Sequence, residues 1–145
     1  GATTAIFAAS KDNRIKRVVS YDPYLIPLKE HIDDRSIKIT VPHCSVNSEV
    51  FQHQALLEEN WNSLLKLFEG GKKRKEGKSK SILSVINGAS HMAFTDLSMM
   101  LVLEFRLCFF TPSLKQAFRG QYNMRLISDV TKAFFIGNGM AKESG

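Results

Sequence analysis

The stretch Arg17-Val18-Val19-Ser20-Tyr21-Asp22-Pro23 decides the fold class. It is short, rich in β-branched residues and followed by a proline, which predicts a strand within Ile15–Tyr21. Residues 22–27 contain two prolines and therefore predict a fixed loop instead of a regular element. An aspartate thus follows the predicted strand directly.

Two segments further along the chain also predict strands. Ser36–Val41 alternates with period two, and the pattern continues through Val46, with Pro42 near the beginning of the strand or at a bulge. Ser81–Ile86 is a third short apolar run, and it ends at Asn87-Gly88.

Apolar residues at helical spacing predict helices between and around these strands. The clearest case is an amphipathic helix of about four turns that ends at Gly70-Gly71, and its apolar positions are Leu57, Trp61, Leu64, Leu65 and Phe68. The remaining helical predictions are the end of a helix at Thr3–Ser10, a buried helix at Phe94–Phe110, a further segment at Thr111–Phe118, and a last short helix at Asp129–Ile136 that ends at Gly137-Asn138-Gly139.

Strands that alternate with helices predict an α/β fold with a mostly parallel sheet flanked by helices. The 145 residues suit one domain with a single core. Three strands are few for such a sheet, and the chain begins with Gly1 instead of Met. We therefore expect residues 1–145 to be a partial domain, with further sequence before Gly1 that would pair with the open edge of the sheet.

Composition excludes several classes of protein. Hydrophobic residues make up 43% and charged residues 23% of the chain, which is typical of a globular domain and not of a disordered one. Two cysteines are too few for a disulfide framework. No apolar run reaches the roughly 18 residues that a membrane-spanning helix needs.

The net charge of +6 is concentrated in one predicted loop insertion, residues 70–80. No aromatic residues interleave with these charges, so we expect a solvated loop and no nucleic-acid partner. A loop of this charge could also attract an anionic surface. Its charged residues are Lys72, Lys73, Arg74, Lys75, Glu76, Lys78 and Lys80.

Polar residues follow each predicted strand, where parallel α/β sheets place their ligands. Asp22 follows the first strand, Asn47-Ser48-Glu49 the second, and a loop that contains His91 the third. An acid before a histidine matches the order of the last two members of a nucleophile–acid–histidine triad in α/β-hydrolases. In such a triad a neutral imidazole takes a proton from the nucleophile, and a carboxylate orients the ring.

Other interpretations of these residues stay open at this level. An Asp-Pro after a strand is a common turn former, a lone histidine in a loop is often structural, and Glu49 is a rival acid for the triad. The remaining histidines, with the two cysteines, match no metal-ligand spacing, so we expect no metal site; these residues are His31, His43, His53, Cys44 and Cys108.

Four blocks in the same order resemble the platelet-activating-factor acetylhydrolases, a family of plasma-type and related intracellular phospholipases. Gly1–Ala5 is similar to the segment after the family's Gly-His-Ser-Phe-Gly elbow, and Ser20–Pro27 is similar to its block around the triad acid. Val46–Gln52 resembles its Asn-Ser-Glu-aromatic-Phe-Gln block, and Gly88–Asp96 resembles its histidine block. Two residue pairs beside the site differ, since Pro23-Tyr24 and Met92-Ala93 replace Ala-Trp and Gln-Asn.

The resemblance implies that Asp22 is the triad acid and His91 the triad base. The serine nucleophile would lie three residues before Gly1, outside this chain, so we expect the chain alone to be inactive. The implied reaction is hydrolysis of a short or oxidised acyl ester at the sn-2 position of a phospholipid, with no metal or organic cofactor. The implied partners are a phospholipid substrate, a membrane or lipoprotein surface touched peripherally, and the N-terminal half of the same fold. The compartment is left open, because the family has secreted and intracellular members.

Two other functions remain alternatives. The complete protein could be another esterase or lipase of the α/β-hydrolase fold. The chain could also be a non-catalytic hydrolase-like module that binds an anionic partner through its basic loop.

Overall fold

A computed structural model describes residues 1–52, 58–71, 80–89, 91–94 and 120–140. Three strands in this part of the chain are β1 (Val18–Tyr21), β2 (His43–Ser48) and β3 (Ile82–Ile86). The helices are α1 (Ala2–Lys11), α2 (Lys29–Asp33), α3 (Glu49–Gln52), α4 (Glu58–Gly71) and α5 (Gly120–Met140), with 3₁₀ helices at Ile26–Leu28 and His91–Phe94.

The three strands form one parallel sheet in the order β1-β2-β3. Ser20 lies opposite Ser45, and Ser45 lies opposite Leu83. Because the strands are parallel, their carboxyl ends lie at the same edge, and the loops after all three strands meet there. The predicted α/β class is confirmed, and within the described residues the sheet is wholly parallel.

Helices cover both faces of this sheet and bury two separate apolar clusters. On one face Val18 packs with Ile6 of α1 and with Leu64 and Leu67 of α4. On the other face Val46 packs with Ile127 and Phe134 of α5, among other residues. The alternation of side chains along a strand explains the division, since successive residues point to opposite faces.

The second strand begins later than its sequence pattern predicts. Ile37 and Ile39 are buried and Lys38 between them is exposed, as alternation requires. Residues 36–42 nevertheless form no ladder, and pairing starts at His43. Pro42 has no N–H to donate, although its carbonyl accepts a hydrogen bond from Val18 N at 2.9 Å. The segment before it is therefore extended and packed into the core but not part of the sheet.

The last helix corrects a second prediction. α5 runs from Gly120 to Met140 and continues through Gly137-Asn138-Gly139, where the sequence predicted an end. A glycine inside a helix costs about 1 kcal/mol relative to alanine. Ile136 and Gly137 are exposed, so no packing among the described side chains explains the continuation. The helix also begins at Gly120 instead of the predicted Asp129.

The remaining predictions divide between confirmed elements and residues outside the described ranges. The helices near the start of the chain and at 58–71 are confirmed, as is the strand at 82–86. The predicted helices at 94–110 and 111–118 lie outside the described residues, except that Phe94 closes a 3₁₀ helix. Of the predicted basic insertion, residues 72–79 lie outside them too. No described helix, α5 included, has the length and apolar character needed to cross a membrane.

Candidate active site

Asp22 stands at the carboxyl end of β1 in an unusual backbone conformation. Its φ angle is 40°, in the left-handed region that favours glycine but that aspartate visits more readily than most residues. Its N–H still donates to the carbonyl of Val46 on β2, at 3.1 Å. The turn buries the carboxylate, whose side chain is 0% exposed, under the loops that follow the neighbouring strands.

Two donors from Ser48, at the end of β2, hold this carboxylate. The Ser48 backbone N–H donates to Oδ1 at 2.6 Å, and the Ser48 hydroxyl donates to Oδ2 at 2.5 Å. Sequence analysis places Ser48 after the second strand but assigns it no role. The parallel register explains the contact, since the Asp22 N–H donates to the Val46 carbonyl and Ser48 N is the next donor that β2 directs toward β1.

His91 lies against the same carboxylate. Its Nδ1 is 3.2 Å from Asp22 Oδ2, and its side chain is 54% exposed. The imidazole ring stacks on Phe51 of α3, with ring centroids 4.9 Å apart and an angle of 24° between the planes. The structure thus brings together the two residues that the sequence singled out, although 69 positions separate them.

Opposing effects act on the pKa of Asp22. Burial raises the pKa, because it removes water from the charged form. The hydrogen bonds from Ser48 and the neighbouring His91 lower it and so offset part of that rise. Hydrogen-bond donors, and not solvent, therefore stabilise the charged form of Asp22, as is common for carboxylates at functional sites.

The arrangement defines which nitrogen of His91 carries a proton. An ionised carboxylate only accepts hydrogen bonds, so Nδ1 is the donor toward Asp22. In the neutral ring Nε2 is then an acceptor, and it makes no hydrogen bond to any described residue. A half-exposed imidazole with this tautomer can take a proton from a hydroxyl and return it.

Glu49, the rival acid, occupies a different position. Its Oε2 accepts a hydrogen bond from the backbone N–H of Gly88 at 2.6 Å. Gly88 has a φ of 72° and lies in the turn between β3 and the His91 helix. Glu49 therefore supports the backbone of the histidine loop, whereas Asp22 contacts the ring.

The other residues weighed in the sequence lie away from this pair or outside the described residues. His31 is exposed and its Nδ1 lies 3.1 Å from the hydroxyl of Ser36, and buried His43 has its Nε2 2.8 Å from the hydroxyl of Ser20. Burial raises the pKa of the Cys44 thiol to about 11, which keeps it unreactive. His53 and Cys108 lie outside the described residues, and no described group of residues has the composition of a metal site.

Two contacts that sequence reasoning missed fix the loop after Asp22. Asn60 of α4 donates through Nδ2 to the carbonyl of Pro23 at 2.9 Å and accepts from the N–H of Leu25. The hydroxyl of Thr3, in the first turn of α1, donates to the carbonyl of Tyr24. These side chains come from distant parts of the chain, so no local pattern could have indicated them.

A mainly apolar cavity of about 300 Å³ borders the site on the α5 side of the sheet. Tyr21 precedes Asp22 and Phe94 ends the His91 helix, and their rings stack with centroids 5.6 Å apart. The described residues that line the cavity are Tyr21, Phe94, Met124, Ile127, Ser128, Thr131 and Lys132.

Comparison with known proteins supports the resemblance stated above. No curated protein and no solved structure gives a significant match to the chain. One family model does match, that of platelet-activating factor acetylhydrolase, isoform II, and it covers residues 1–136. The family is an α/β-hydrolase, in agreement with the parallel sheet and its flanking helices. The match covers nearly all of the 145 residues, and the chain therefore belongs to the platelet-activating factor acetylhydrolase, isoform II, family.

Proposed function

We propose that this chain carries the acid and the base of a serine ester hydrolase that cleaves the sn-2 acyl ester of phospholipids such as platelet-activating factor. Asp22 is the acid and His91 the base. The preferred acyl group is short or oxidised. Membership of the family supports hydrolase chemistry, and the finer assignment depends on the geometry of these two residues.

The hydrogen bond between Asp22 and His91 is the observation that carries the proposal. The carboxylate is buried and accepts from Nδ1 at 3.2 Å, while the ring itself is half-exposed. A general base needs this asymmetry, with one nitrogen fixed by an acceptor and the other free to exchange a proton. The stack on Phe51 restricts the rotation of the imidazole ring further, so the ring loses less orientational freedom when it reacts.

The resemblance to the family supports a serine as the nucleophile, and the contacts of α1 hold the segment that carries this resemblance next to Asp22. The hydrogen bond from Thr3 to the Tyr24 carbonyl fixes the beginning of α1 against the Asp22 loop. The family's Gly-His-Ser-Phe-Gly elbow, which is followed by a segment similar to Gly1–Ala5, is the source of the serine in this proposal. The cavity beside Tyr21 and Phe94 offers apolar surface for an acyl chain.

The proposed reaction has two balanced steps. The serine oxygen attacks the ester carbonyl as His91 Nε2 takes the hydroxyl proton, and the lysophospholipid alcohol leaves with that proton. Water then attacks the acyl-serine with His91 as base, which releases the carboxylic acid and restores the serine. Asp22 stays ionised throughout and stabilises the imidazolium.

The test uses the polypeptide as its gene encodes it, including any segment that precedes Gly1. Turnover of a 2-acetyl phosphocholine lipid is compared with that of a long-chain sn-2 analogue and of p-nitrophenyl acetate, and His91→Ala serves as the inactive control. We expect the 2-acetyl lipid to be preferred. Turnover of the simple ester alone would favour another esterase of the same fold, and no turnover of any substrate would favour the non-catalytic module.

A further inference from the structure

Two residues of the loop that follows Asp22 are buried, although Tyr24 between them is 51% exposed, so the backbone groups of the buried residues need partners. Pro23 and Leu25 are among the fully buried residues of the chain. A buried carbonyl or N–H without a partner destabilises the fold, and the hydrogen bonds of the Pro23 carbonyl and the Leu25 N–H are both buried. The buried peptide groups of this loop must therefore pair with other groups of the protein.

Asn60 supplies two of these partners with one side chain. Its Nδ2 donates to the Pro23 carbonyl at 2.9 Å, and its Oδ1 accepts from the Leu25 N–H. Asn60 is itself only 5% exposed, and it lies on α4, which packs against the sheet through Leu64 and Leu67. The amide therefore joins the loop to a helix that the core already fixes.

We propose that Asn60 is a positioning residue for the Asp22–His91 pair, an inference that rests on the proposed function. Asp22 has a φ of 40°, a conformation that costs energy and needs the surrounding structure to maintain it. Pro23 follows directly, and its ring makes the link between the two residues stiff. A hydrogen bond that fixes the Pro23 carbonyl therefore also restricts the direction in which the Asp22 side chain projects from the backbone.

The two hydrogen bonds that Asn60 makes to this loop require an amide side chain. One end of the side chain must donate a hydrogen bond and the other must accept one. Aspartate and leucine are similar in size to asparagine, but an ionised aspartate only accepts and leucine does neither. Asn60→Asp would place a second acceptor against the Pro23 carbonyl, and Asn60→Leu would leave both backbone groups unpaired. Thr3 holds the neighbouring Tyr24 carbonyl from α1, so the loop would keep one anchor in both variants.

The roles of Ser48 and Asn60 are distinct. Ser48 donates to the carboxylate itself and so acts on the charge of Asp22. Asn60 contacts only the backbone on the far side of Pro23 and acts on geometry alone. Loss of Asn60 is therefore expected to change the alignment of Asp22 with His91 while leaving substrate contacts unaltered.

The experiment compares Asn60→Asp and Asn60→Leu with the same substitutions at Asn62, an exposed asparagine on the same helix. Three quantities are measured in the polypeptide as its gene encodes it. They are the downfield proton resonance of His91 Nδ1–H, the midpoint of thermal unfolding, and kcat and KM for the 2-acetyl lipid. Asn60→Ser, which is smaller and keeps one donor, is included for the case that the larger changes prevent folding.

We expect the Asn60 variants to weaken or lose the Nδ1–H resonance and to lower kcat by about 10- to 100-fold, with KM nearly unchanged. The Asn62 variants should behave like the parent protein. Variants with a lower unfolding midpoint but an intact resonance and kcat would overturn the proposal, because Asn60 would then only stabilise the fold.

The resonance distinguishes this inference from the proposed function. A polypeptide without esterase activity that loses the resonance on Asn60 substitution would contradict the function but leave the positioning role. An active enzyme whose resonance and kcat do not respond to Asn60 would contradict the positioning role alone.

Discussion

Ser48 holds both oxygens of the Asp22 carboxylate, through its backbone N–H at 2.6 Å and its hydroxyl at 2.5 Å. The same Oδ2 that accepts from the Ser48 hydroxyl also lies 3.2 Å from His91 Nδ1. Ser48 therefore holds the carboxylate in position independently of its contact with the His91 imidazole. The end of β2 thus supports the side chain at the end of the neighbouring strand β1.

Asp22→Asn should lower kcat/KM by about 10³- to 10⁴-fold in the esterase assay, because an amide favours the wrong tautomer of a partner imidazole. Glu49→Gln should cost far less, since the glutamine carbonyl oxygen can still accept from Gly88 N. Steady-state kinetics of both variants decide between the two acids. A large loss in Glu49→Gln with Asp22→Asn nearly intact would make Glu49 the acid.

Asp22→Asn should also raise stability at neutral pH. Burial raises the pKa of Asp22 in the folded state above its unfolded value, so the folded state binds a proton more readily than the unfolded state. The ionised group then costs stability at every pH above its folded pKa, and the cost disappears as the pH falls below the unfolded value.

The measurement is the unfolding midpoint of both proteins over a range from acidic to neutral pH, with Asp129→Asn on the exposed side of α5 as a control. The advantage of Asp22→Asn should be largest at neutral pH and vanish in acid. A variant less stable than the parent at neutral pH would show that the bonds from Ser48 and His91 outweigh the burial of the charge.

Ser48→Ala should shift the titration of the Asp22 carboxyl group to higher pH. The Ser48 hydroxyl lowers the pKa of Asp22, so its loss lets burial raise that pKa further, and a higher pH is then needed to ionise the acid. The carboxyl carbon chemical shift of Asp22, followed by NMR from acidic to neutral pH, measures this titration. Ser84→Ala is the matched control, because its hydroxyl faces the Ser45 carbonyl at 3.4 Å instead of Asp22. A titration midpoint that does not move in Ser48→Ala would contradict the prediction.

Gly137→Ala should stabilise the protein by up to about 1 kcal/mol, since α5 is helical through this position and alanine is the better helix former. A methyl group there would meet no atom within 4 Å. Urea unfolding measures the change, and Ala133→Gly in the same helix should show an opposite effect of similar size. If both substitutions destabilise, the helix ends before residue 137, as the sequence pattern had predicted.

Local patterns were sufficient for most elements and failed where packing decides the outcome. Short β-branched or apolar runs located β1 and β3, and helical spacing located α4, because both signals are visible in short windows. The end of α5 was misplaced because glycine is a common helix terminator, whereas this helix continues through Gly137-Asn138-Gly139. The beginning of β2 was misplaced because Ile37 and Ile39 alternate like a strand but pack without pairing.

The candidate site shows the same division. Asp22 and His91 could be named from their positions after predicted strands and from the resemblance to a family, and their catalytic roles stay predictions. Ser48, Asn60 and Thr3 could not be assigned their contacts, because each acts on a residue at least 21 positions away along the chain.

The amino-acid order by itself determined the alternation of strands and helices, the polar residue after each strand, and the blocks that mark the family. Only the tertiary structure decided that Asp22 and not Glu49 contacts His91, and which side chains support the acid. The reason is physical: alternation and helical spacing arise from neighbours in sequence, whereas hydrogen bonds between strand ends depend on the register in which distant segments pack.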